Sequence, residues 1–315
     1  GAINQLDKDL ERHIKEYLAV RCGMQEIFSY PWMEESYVNA ILQSTDGILA
    51  LSTPPSPSER FIRASLLPNL CRAVAKNERY YGDFAIFETA QVFRDENYTA
   101  PYDEREKLPS QRKNVAGAFV SAGKDVTGLF RRAKGVVEMM PRYTHMEPYS
   151  FRQVSKPVWA DEVVWLNIYL GEEYIGDLAL LSKRVSMACG IKNVNVMLFQ
   201  LDQDALIPLR SRTNSFRHLA EYPMTDYDIS LLLDGQVKWA DVAQTIGGIK
   251  NPLLHGAAFV DEYRGKQVPE GKKSLTARLT IGSAEKTLTS AEIEEVANSV
   301  LKKLAKRFGA ELRSR

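Results

Sequence analysis

The feature that most constrains this 315-residue sequence is an amphipathic helix near its end. Thr289 and Glu292 have the spacing of a capping box, and Gly309 is a typical helix stop. Glutamates lie at the start of the segment and lysines at its end, which matches the helix dipole. The apolar positions on one face are Ile293, Val296, Ala297, Val300, Leu304 and Phe308. Such a face must be covered by a sheet or by another helix.

Strand-like and helix-like segments surround this helix in a regular order. Alternating apolar residues predict a strand over 228–234, and a short helix closed by a Gly-Gly pair follows over 239–246. Three more strands are predicted at 257–263, 273–281 and 310–313. The order βαββαβ predicts a ferredoxin-like domain, which we assign to residues 211–315.

The preceding residues, 1–210, follow a different pattern. Strands outnumber helices there and do not alternate with them regularly, so we expect an α+β domain built on an antiparallel sheet. The predicted helices are 6–18, 66–80 and 130–140. The predicted strands are 26–30, 83–93, 115–120, 163–170, 174–180 and 194–201. Two exposed loops are predicted, a proline-rich one at 52–58 and a charged one at 94–114.

Composition excludes several classes of protein. No apolar run approaches the roughly 18–20 residues that a membrane helix needs, and no signal peptide is visible, so we expect no membrane partner. The three cysteines and four histidines lack the spacing of metal ligands, so we expect no metal site and free thiols in a cytoplasmic protein. The net charge of +1 favours no strongly electrostatic surface, although residues 211–315 carry a small basic excess.

A basic loop between two predicted strands is the best candidate site. It combines cations, two glycines and an aromatic ring, a combination that RNA-binding surfaces use. The candidate tRNA-binding residues are Tyr263, Arg264, Lys266, Lys272 and Lys273. The alternative is a solvated hairpin whose lysines keep the sheet edge soluble. The cations of the final helix, 302–307, are interpreted mainly as partners of the helix dipole.

The signatures of common catalytic sites are missing from the sequence. It contains no phosphate-binding loop of the form Gly-x-x-x-x-Gly-Lys-Ser/Thr and no Gly-x-Gly-x-x-Gly dinucleotide fingerprint. No nucleophile elbow precedes an ordered triad either. We therefore predict no catalytic residue in this chain.

Several segments resemble one known family. Residues 261–280, 286–292 and 307–313, with the Tyr222-Pro223 pair, resemble the ferredoxin-fold anticodon-binding domain that ends the β subunit of bacterial phenylalanyl-tRNA synthetases. The segments GMQEIFSY at 23–30, RASLLP at 63–68 and FETAQVF at 87–93 are similar, more loosely, to the catalytic-like module of the same subunit. The resemblance covers nearly the whole chain.

The resemblance implies a fold and a role. Residues 1–210 would form a class II synthetase-like module without a working active site, and the chain would be the C-terminal part of a ligase β subunit. It would scaffold the catalytic α subunit and contact tRNA-Phe, not DNA. ATP and Mg²⁺ would be used by the assembled heterotetrameric ligase and not bound by this chain, which would be inactive alone.

Two departures from the family pattern affect this interpretation: two arginines are replaced, and the region around Trp159–Asp161 lacks the family's usual His-Pro-Gly-Arg-Ser-Ala run. Asp226 and Tyr227 occupy positions where the family usually carries arginines, which puts a phosphate contact there in doubt. A class II site needs two arginines that hold ATP; Arg94 is the nearest candidate for the first, and residues 190–194 offer none for the second. We interpret Arg94 as an ordinary surface or interface arginine.

Two alternative functions remain open at this point. The chain could be a free-standing class II synthetase paralogue that activates an amino acid, which ATP–pyrophosphate exchange by the chain alone would reveal. It could instead be a stand-alone RNA-binding protein, which failure to associate with an α subunit would favour.

Overall fold

The chain divides into two compact units. The computed structural model describes residues 5–99, 107–209 and 222–313, and its contacts separate Gly1–Asn214 from Ser215–Arg315. The domain boundary predicted at 210/211 falls outside the described residues. Each unit has its own sheet and its own hydrophobic core.

The first unit is built on a seven-stranded sheet with the order β1-β4-β5-β9-β8-β7-β6. All neighbours are antiparallel except β1, which pairs in parallel with β4. Its strands are β1 (Gln25–Glu26), β4 (Asp83–Thr99), β5 (Lys107–Ser121), β6 (Tyr149–Arg152), β7 (Ala160–Leu170), β8 (Glu173–Leu181) and β9 (Asn195–Asp202). A small separate ribbon pairs β2 (Trp32–Met33) with β3 (Phe61–Ile62).

Helices cover both faces of this sheet. They are α1 (Leu6–Glu16), α2 (Glu35–Leu42), α3 (Leu67–Asn77), α4 (Val126–Thr144), α5 (Lys183–Ala188) and α6 (Gln203–Leu206). A π-helical turn, Tyr17–Arg21, continues α1, and a short 3₁₀ turn, Ile207–Leu209, follows α6. Successive side chains of a strand point to opposite faces, so Phe87 packs in the core with α1 and α4, while Ile86 packs with α3.

Two predicted segments differ in the structure. The prediction of a loop over 94–114 was wrong for the described residues of this segment. There, β4 and β5 continue through residues 94–99 and 107–114 as a paired ribbon. Ladder hydrogen bonds use the backbone, so charged side chains do not prevent such pairing. The strand expected over 26–30 is only two residues long, because the chain leaves the edge of β4 after Ile27.

The second unit has the predicted ferredoxin-like order. Its elements are β10 (Thr225–Asp234), α7 (Trp239–Gly247), β11 (Leu254–Tyr263), β12 (Lys272–Ile281), α8 (Ser290–Phe308) and β13 (Glu311–Leu312). The antiparallel sheet has the strand order β11-β12-β10-β13, and α7 and α8 pack with it in one core. The predicted α+β fold class, with a module on a largely antiparallel sheet followed by a ferredoxin-like domain, is confirmed.

The capping of α8 follows the sequence prediction. The Thr289 N–H donates to the Glu292 carboxylate at 2.9 Å, and the Glu292 N–H donates to the Thr289 hydroxyl at 3.4 Å. Gly309 ends the helix with a φ of 63°, a left-handed conformation that glycine adopts without strain. The hydrogen bond from Lys286, together with those from Thr289, lowers the pKa of Glu292 to about 2.

Candidate functional site

The basic loop lies at one end of the second unit. It joins the end of β11 to the start of β12, beside the end of β10. Gly271 has a φ of 79°, and its carbonyl accepts a hydrogen bond from the Gly235 N–H at 2.8 Å. This contact ties the loop to the turn that follows β10.

Glu262 neutralises two of the predicted RNA-binding cations. Its carboxylate accepts a hydrogen bond from Arg264 Nε at 2.8 Å and another from Lys273 Nζ at 2.8 Å. The Lys273 side chain is only 4% exposed, so its ammonium faces this carboxylate and not the solvent. Burial raises the pKa of Glu262, but the hydrogen bonds from Lys273 and Arg264 outweigh it and lower the pKa overall.

The other predicted residues are more accessible. Lys266 is exposed, and among the described residues it has no ion-pair partner. Lys272 lies 3.6 Å from the Glu311 carboxylate and remains partly exposed. Tyr263 is 41% exposed at the end of β11. The five predicted residues therefore lie around one loop, but Lys266 is the cation most available for a phosphate.

Two further sets of cations lie at the same end. The last two turns of α8 carry Lys302, Lys303, Lys306 and Arg307, all exposed. Because Glu311, three residues after α8, pairs with Lys272 at the start of β12, this helix end and the basic loop are neighbours. Arg313 was missed from the sequence, and its guanidinium lies over the Tyr263 ring, 5.7 Å from the centroid. No local signal could have revealed it, since fifty residues separate the two side chains.

Asp226, which departs from the family pattern, and Asp228, which matches it, make contacts within the sheet. Asp228 accepts two hydrogen bonds from Arg278 on the neighbouring strand, at 2.7 Å and 2.8 Å. Asp226 accepts one from the Thr280 hydroxyl at 3.1 Å. The hydrogen bond from Arg278 lowers the pKa of Asp228. This part of the sheet surface therefore presents acids and one paired arginine, a poor surface for phosphate.

The first unit carries a row of polar side chains across one face of its sheet. The strand register pairs Asn167 on β7 with Asp177 on β8, and Asp177 with Gln200 on β9. Gln200 pairs with Ala116 on β5, and Ala116 pairs with Glu88 on β4. We call Asn167, Asp177, Gln200 and Glu88 the polar row. It crosses five strands, so sequence spacing could not have predicted it.

Side chains and backbone of the same chain form hydrogen bonds with the two middle members of this row. Gln200 Oε1 accepts hydrogen bonds from the Ser65 hydroxyl at 2.8 Å and from the Leu66 N–H at 2.9 Å. Asp177 accepts from Asn167 Nδ2 and from the Tyr174 hydroxyl, each at 2.7 Å. Burial raises the pKa of Asp177, although both hydrogen bonds oppose the shift.

Glu88 is the most buried member of the row, at 2% exposure. It accepts hydrogen bonds from the Ser29 N–H at 2.9 Å, from the Ser29 hydroxyl at 2.7 Å and from Arg63 Nη1 at 3.2 Å. Arg63 also donates through Nε to the Gln91 carbonyl at 2.6 Å. Burial lowers the pKa of Arg63, while Glu88 raises it. The pair holds the segment after β3 against the edge of β4.

Two places were considered for a nucleotide-binding arginine, Arg94 and the segment 190–194. Neither is among the hydrogen-bond partners of the polar row given above. Arg94 is exposed on β4, where it pairs in register with Ser110. The segment 190–194 follows α5, and the Lys192 N–H donates to the Glu78 carboxylate at 3.1 Å. Within the described residues, no group of three or more His, Cys, Asp or Glu side chains could hold a metal ion. None of the described helices is both long enough and apolar enough to span a membrane.

Two family models match the chain. Residues 2–203 match the phenylalanyl-tRNA synthetase β chain CLM domain, and residues 220–313 match the ferredoxin-fold anticodon binding domain. The phenylalanine–tRNA ligase β subunit of Oceanobacillus iheyensis is 27% identical over 97% of this chain and 38% of its own length. That of Carboxydothermus hydrogenoformans is 28% identical over the same shares. The chain thus spans about 38% of the length of these relatives.

Solved structures share the fold. The crystal structure of pyrrolysyl-tRNA synthetase from Desulfitobacterium hafniense superposes with a TM-score of 0.52 at 15% identity, over 65% of this chain and 69% of that one. A second structure of this synthetase from the same organism gives a TM-score of 0.51 at 14% identity, over 64% and 68%. Likeness at this level of identity reports the fold and not the chemistry.

Proposed function

Since this chain belongs to the phenylalanyl-tRNA synthetase β-chain family, we propose that it is a non-catalytic part of a phenylalanine–tRNA ligase β subunit. In this role it scaffolds the catalytic α subunit and contacts tRNA-Phe during ATP-dependent phenylalanyl-tRNA formation in the cytoplasm. The observation that carries the proposal is the polar row, whose groups are engaged by the chain itself.

The polar row supports a non-catalytic role for the first unit. A synthetase must hold ATP with groups that are free to meet phosphate and adenine. Here Glu88 and Gln200 accept hydrogen bonds from backbone and side-chain donors of Ser29 and of the segment 63–66. These contacts fix the scaffold and leave those side chains no free acceptor role toward a substrate. ATP, Mg²⁺ and phenylalanine are therefore assigned to the α subunit.

An exposed aromatic surface supports association with the α subunit. Phe28 and Tyr30 follow the edge strand β1 and are 81% and 70% exposed, and Tyr30 stacks on Trp32 with ring centroids 4.5 Å apart. A cleft of about 490 Å³ near β1 is lined by Gln25, Ile27, Tyr81 and other residues. A cluster of exposed rings at a sheet edge is typical of a protein interface. We assign this edge to the α subunit.

The basic end of the second unit supports the tRNA contact. Lys266 and the four cations of the last two turns of α8 are exposed and lie near one another. RNA phosphates attract such a surface, and each contact releases condensed counterions. Arg264 and Lys273 form ion pairs with Glu262, so they position the loop and contribute less to phosphate binding.

We expect the chain to bind the α subunit and to lose affinity when the aromatic edge is removed. Phe28→Ala with Tyr30→Ala should weaken binding by about tenfold or more, because interface aromatics of this kind should contribute roughly 1.4 kcal/mol or more between them. Val163→Ala is the matched control, because Val163 is 75% exposed on β7 at the far side of the sheet. Isothermal titration calorimetry with purified α subunit measures both.

The same preparations separate the alternatives. Robust ATP–pyrophosphate exchange by this chain alone would establish the free-standing synthetase and refute the proposal. Binding of tRNA-Phe without any binding of the α subunit would establish the stand-alone RNA-binding protein. Equal affinities for the double variant and the Val163→Ala control would remove the aromatic edge from the interface.

We expect the basic end to set the salt dependence of tRNA binding. Lys302→Ala with Lys306→Ala should weaken binding of tRNA-Phe and reduce the slope of log K against log salt by roughly one for each phosphate that is no longer neutralised. Lys124→Ala is the control, because this exposed lysine lies in the first unit. Fluorescence anisotropy at several salt concentrations measures the slopes, and an unchanged slope in the double variant would contradict the assignment.

A further inference from the structure

The cleft near β1 lies at the corner of the first unit where β4 begins beside this edge strand. Its volume is about 490 Å³, enough for a small ligand or for a few side chains of a partner. The residues that line it include Gln25, Ile27, Asn77, Phe84 and Arg132. Because Ile27 directly precedes Phe28, the cleft is continuous with the exposed aromatic edge.

Three exposed cations at this corner have no anionic partner among the described residues. Arg132 lines the cleft, and its guanidinium forms no ion pair or hydrogen bond there. Lys76 lies three residues after Ala73, a lining residue on α3, so the two share one face of the helix. Arg79 follows just after the end of α3. Neither Lys76 nor Arg79 pairs with a described carboxylate.

The acids of the same corner accept hydrogen bonds from the chain itself. Asp83 also lines the cleft, and its carboxylate accepts one from the Ser121 hydroxyl at 2.5 Å. The Glu78 carboxylate accepts from the N–H groups of Lys192 and Asn193, at 3.1 Å and 3.3 Å. These contacts direct both carboxylates to neutral donors of the chain, so the N–H groups of the three cations remain available for a partner.

Such a cleft suits a side-chain carboxylate that has apolar neighbours. A guanidinium binds a carboxylate through two parallel hydrogen bonds, and Ile27 and Phe84 supply apolar surface beside it. RNA phosphates would be attracted by the same charges, but the nearby rings are engaged within the chain. The Arg79 guanidinium lies 4.6 Å from the Tyr80 centroid, and Tyr81 meets Phe84 edge-on at 6.5 Å. Continuity with the aromatic edge therefore favours a protein partner.

We propose that this cleft receives an acidic segment of the α subunit, with a carboxylate on Arg132 and apolar neighbours against Ile27 and Phe84. The proposal rests on the association with the α subunit proposed above and specifies its chemistry. The unpaired cations also attract the acidic segment before contact, which raises the association rate. Added salt screens this attraction, so the association rate falls as the ionic strength rises.

Stopped-flow fluorescence with the full chain and purified α subunit measures the association rate at several salt concentrations. Lys76→Glu with Arg132→Glu should slow association at low salt by about tenfold or more, and its rate should no longer fall as salt is added. Arg132→Gln should change the rate in the same direction by less. The matched control is Lys8→Glu with Lys183→Glu, which changes the net charge equally at exposed positions outside the cleft. The control should keep the rate within about twofold of the unmodified chain and keep its fall with salt.

The outcomes separate this proposal from the association itself. Equal association rates for the unmodified chain and the cleft variant overturn the acidic segment and leave the association standing. Equal slowing by the control overturns it too, because net charge would then be responsible. Loss of tRNA-Phe binding with unchanged binding of the α subunit would assign the cleft to RNA and refute the proposal. No binding of the α subunit by the unmodified chain overturns the association and the cleft together. Thermal melting verifies folding, and Arg132→Gln decides the matter if the cleft variant is not folded.

Discussion

Replacing Glu88 by alanine is expected to lower the free energy of unfolding of the first unit by about 3–5 kcal/mol. Glu88 is 2% exposed and Arg63 8%, and their ion pair measures 3.2 Å. Without the carboxylate, the guanidinium would remain buried, and its acceptors among the described residues would be the Gln91 carbonyl and the carbonyl and hydroxyl of Ser29. Two Ser29 donors would lose their acceptor as well.

The measurement is urea denaturation followed by tryptophan fluorescence. A Trp239→Phe background leaves Trp32, Trp159 and Trp165, all in the first unit, as reporters. The matched control removes a carboxylate from an exposed pair.

Glu35→Ala breaks the contact with Arg60, where the side chains are 37% and 49% exposed, and should cost less than about 1 kcal/mol. Similar costs for the two variants would mean that the buried pair does not hold this part of the fold.

The consequence of Glu88→Ala extends to the proposed interface. Ser29, which donates to Glu88, lies between the exposed rings of Phe28 and Tyr30. If the buried pair positions this segment, Glu88→Ala should weaken binding of the α subunit even at temperatures where the variant is folded. Such an effect would link the polar row to subunit association.

The second large effect is expected for Gly176→Ala, at about 3 kcal/mol or more. Gly176 lies on β8 with a φ of 156°, a conformation that side chains rarely permit. A Cβ atom there would also collide with the backbone carbonyl oxygen of Gln200 and approach Leu201 Cα at 3.0 Å. Backbone atoms cannot rotate away as a side chain can. The variant must therefore separate β8 from β9 locally.

Gly135→Ala provides the control with the same chemical change. Gly135 lies inside α4, and a Cβ atom there would meet nothing within 4 Å. Because alanine stabilises a helix interior relative to glycine, we expect a gain of about 0.5–1 kcal/mol. Urea denaturation in the Trp239→Phe background compares the two. A small cost for Gly176→Ala would show that the β8–β9 ladder can shift to admit a side chain.

The structural predictions that were confirmed depend on interactions between residues close together in the sequence. The capping box of Thr289 and Glu292 and the stop at Gly309 depend on contacts within a few residues, so the sequence specified α8 to within one residue. The order of strands and helices in the second unit also follows from local periodicity. The charged segment 94–114 was misread because a polar composition does not exclude backbone pairing between two strands.

For the candidate site as well, the sequence predicted the residues that cluster along the chain but not the contacts that strand pairing creates. Sequence alone located the basic loop with Arg264 and Lys266, because cations and glycines cluster there along the chain. It could not assign Lys273 to a buried pair with Glu262, since this depends on which face of β12 the side chain occupies. Nor could it bring Arg313 to Tyr263, because three strand pairings set that distance.

By itself, then, the sequence determined the elements of the second unit, their order and the family resemblance, all of which depend on short-range spacing and residue type. Tertiary structure alone decided that Asn167, Asp177, Gln200 and Glu88 form one row and that Arg63 is buried against it. It also decided that an arginine near the end of the chain covers a tyrosine fifty residues earlier. The physical reason is register: pairing between distant strands fixes which side chains meet, and a shift of one residue would turn each to the opposite face.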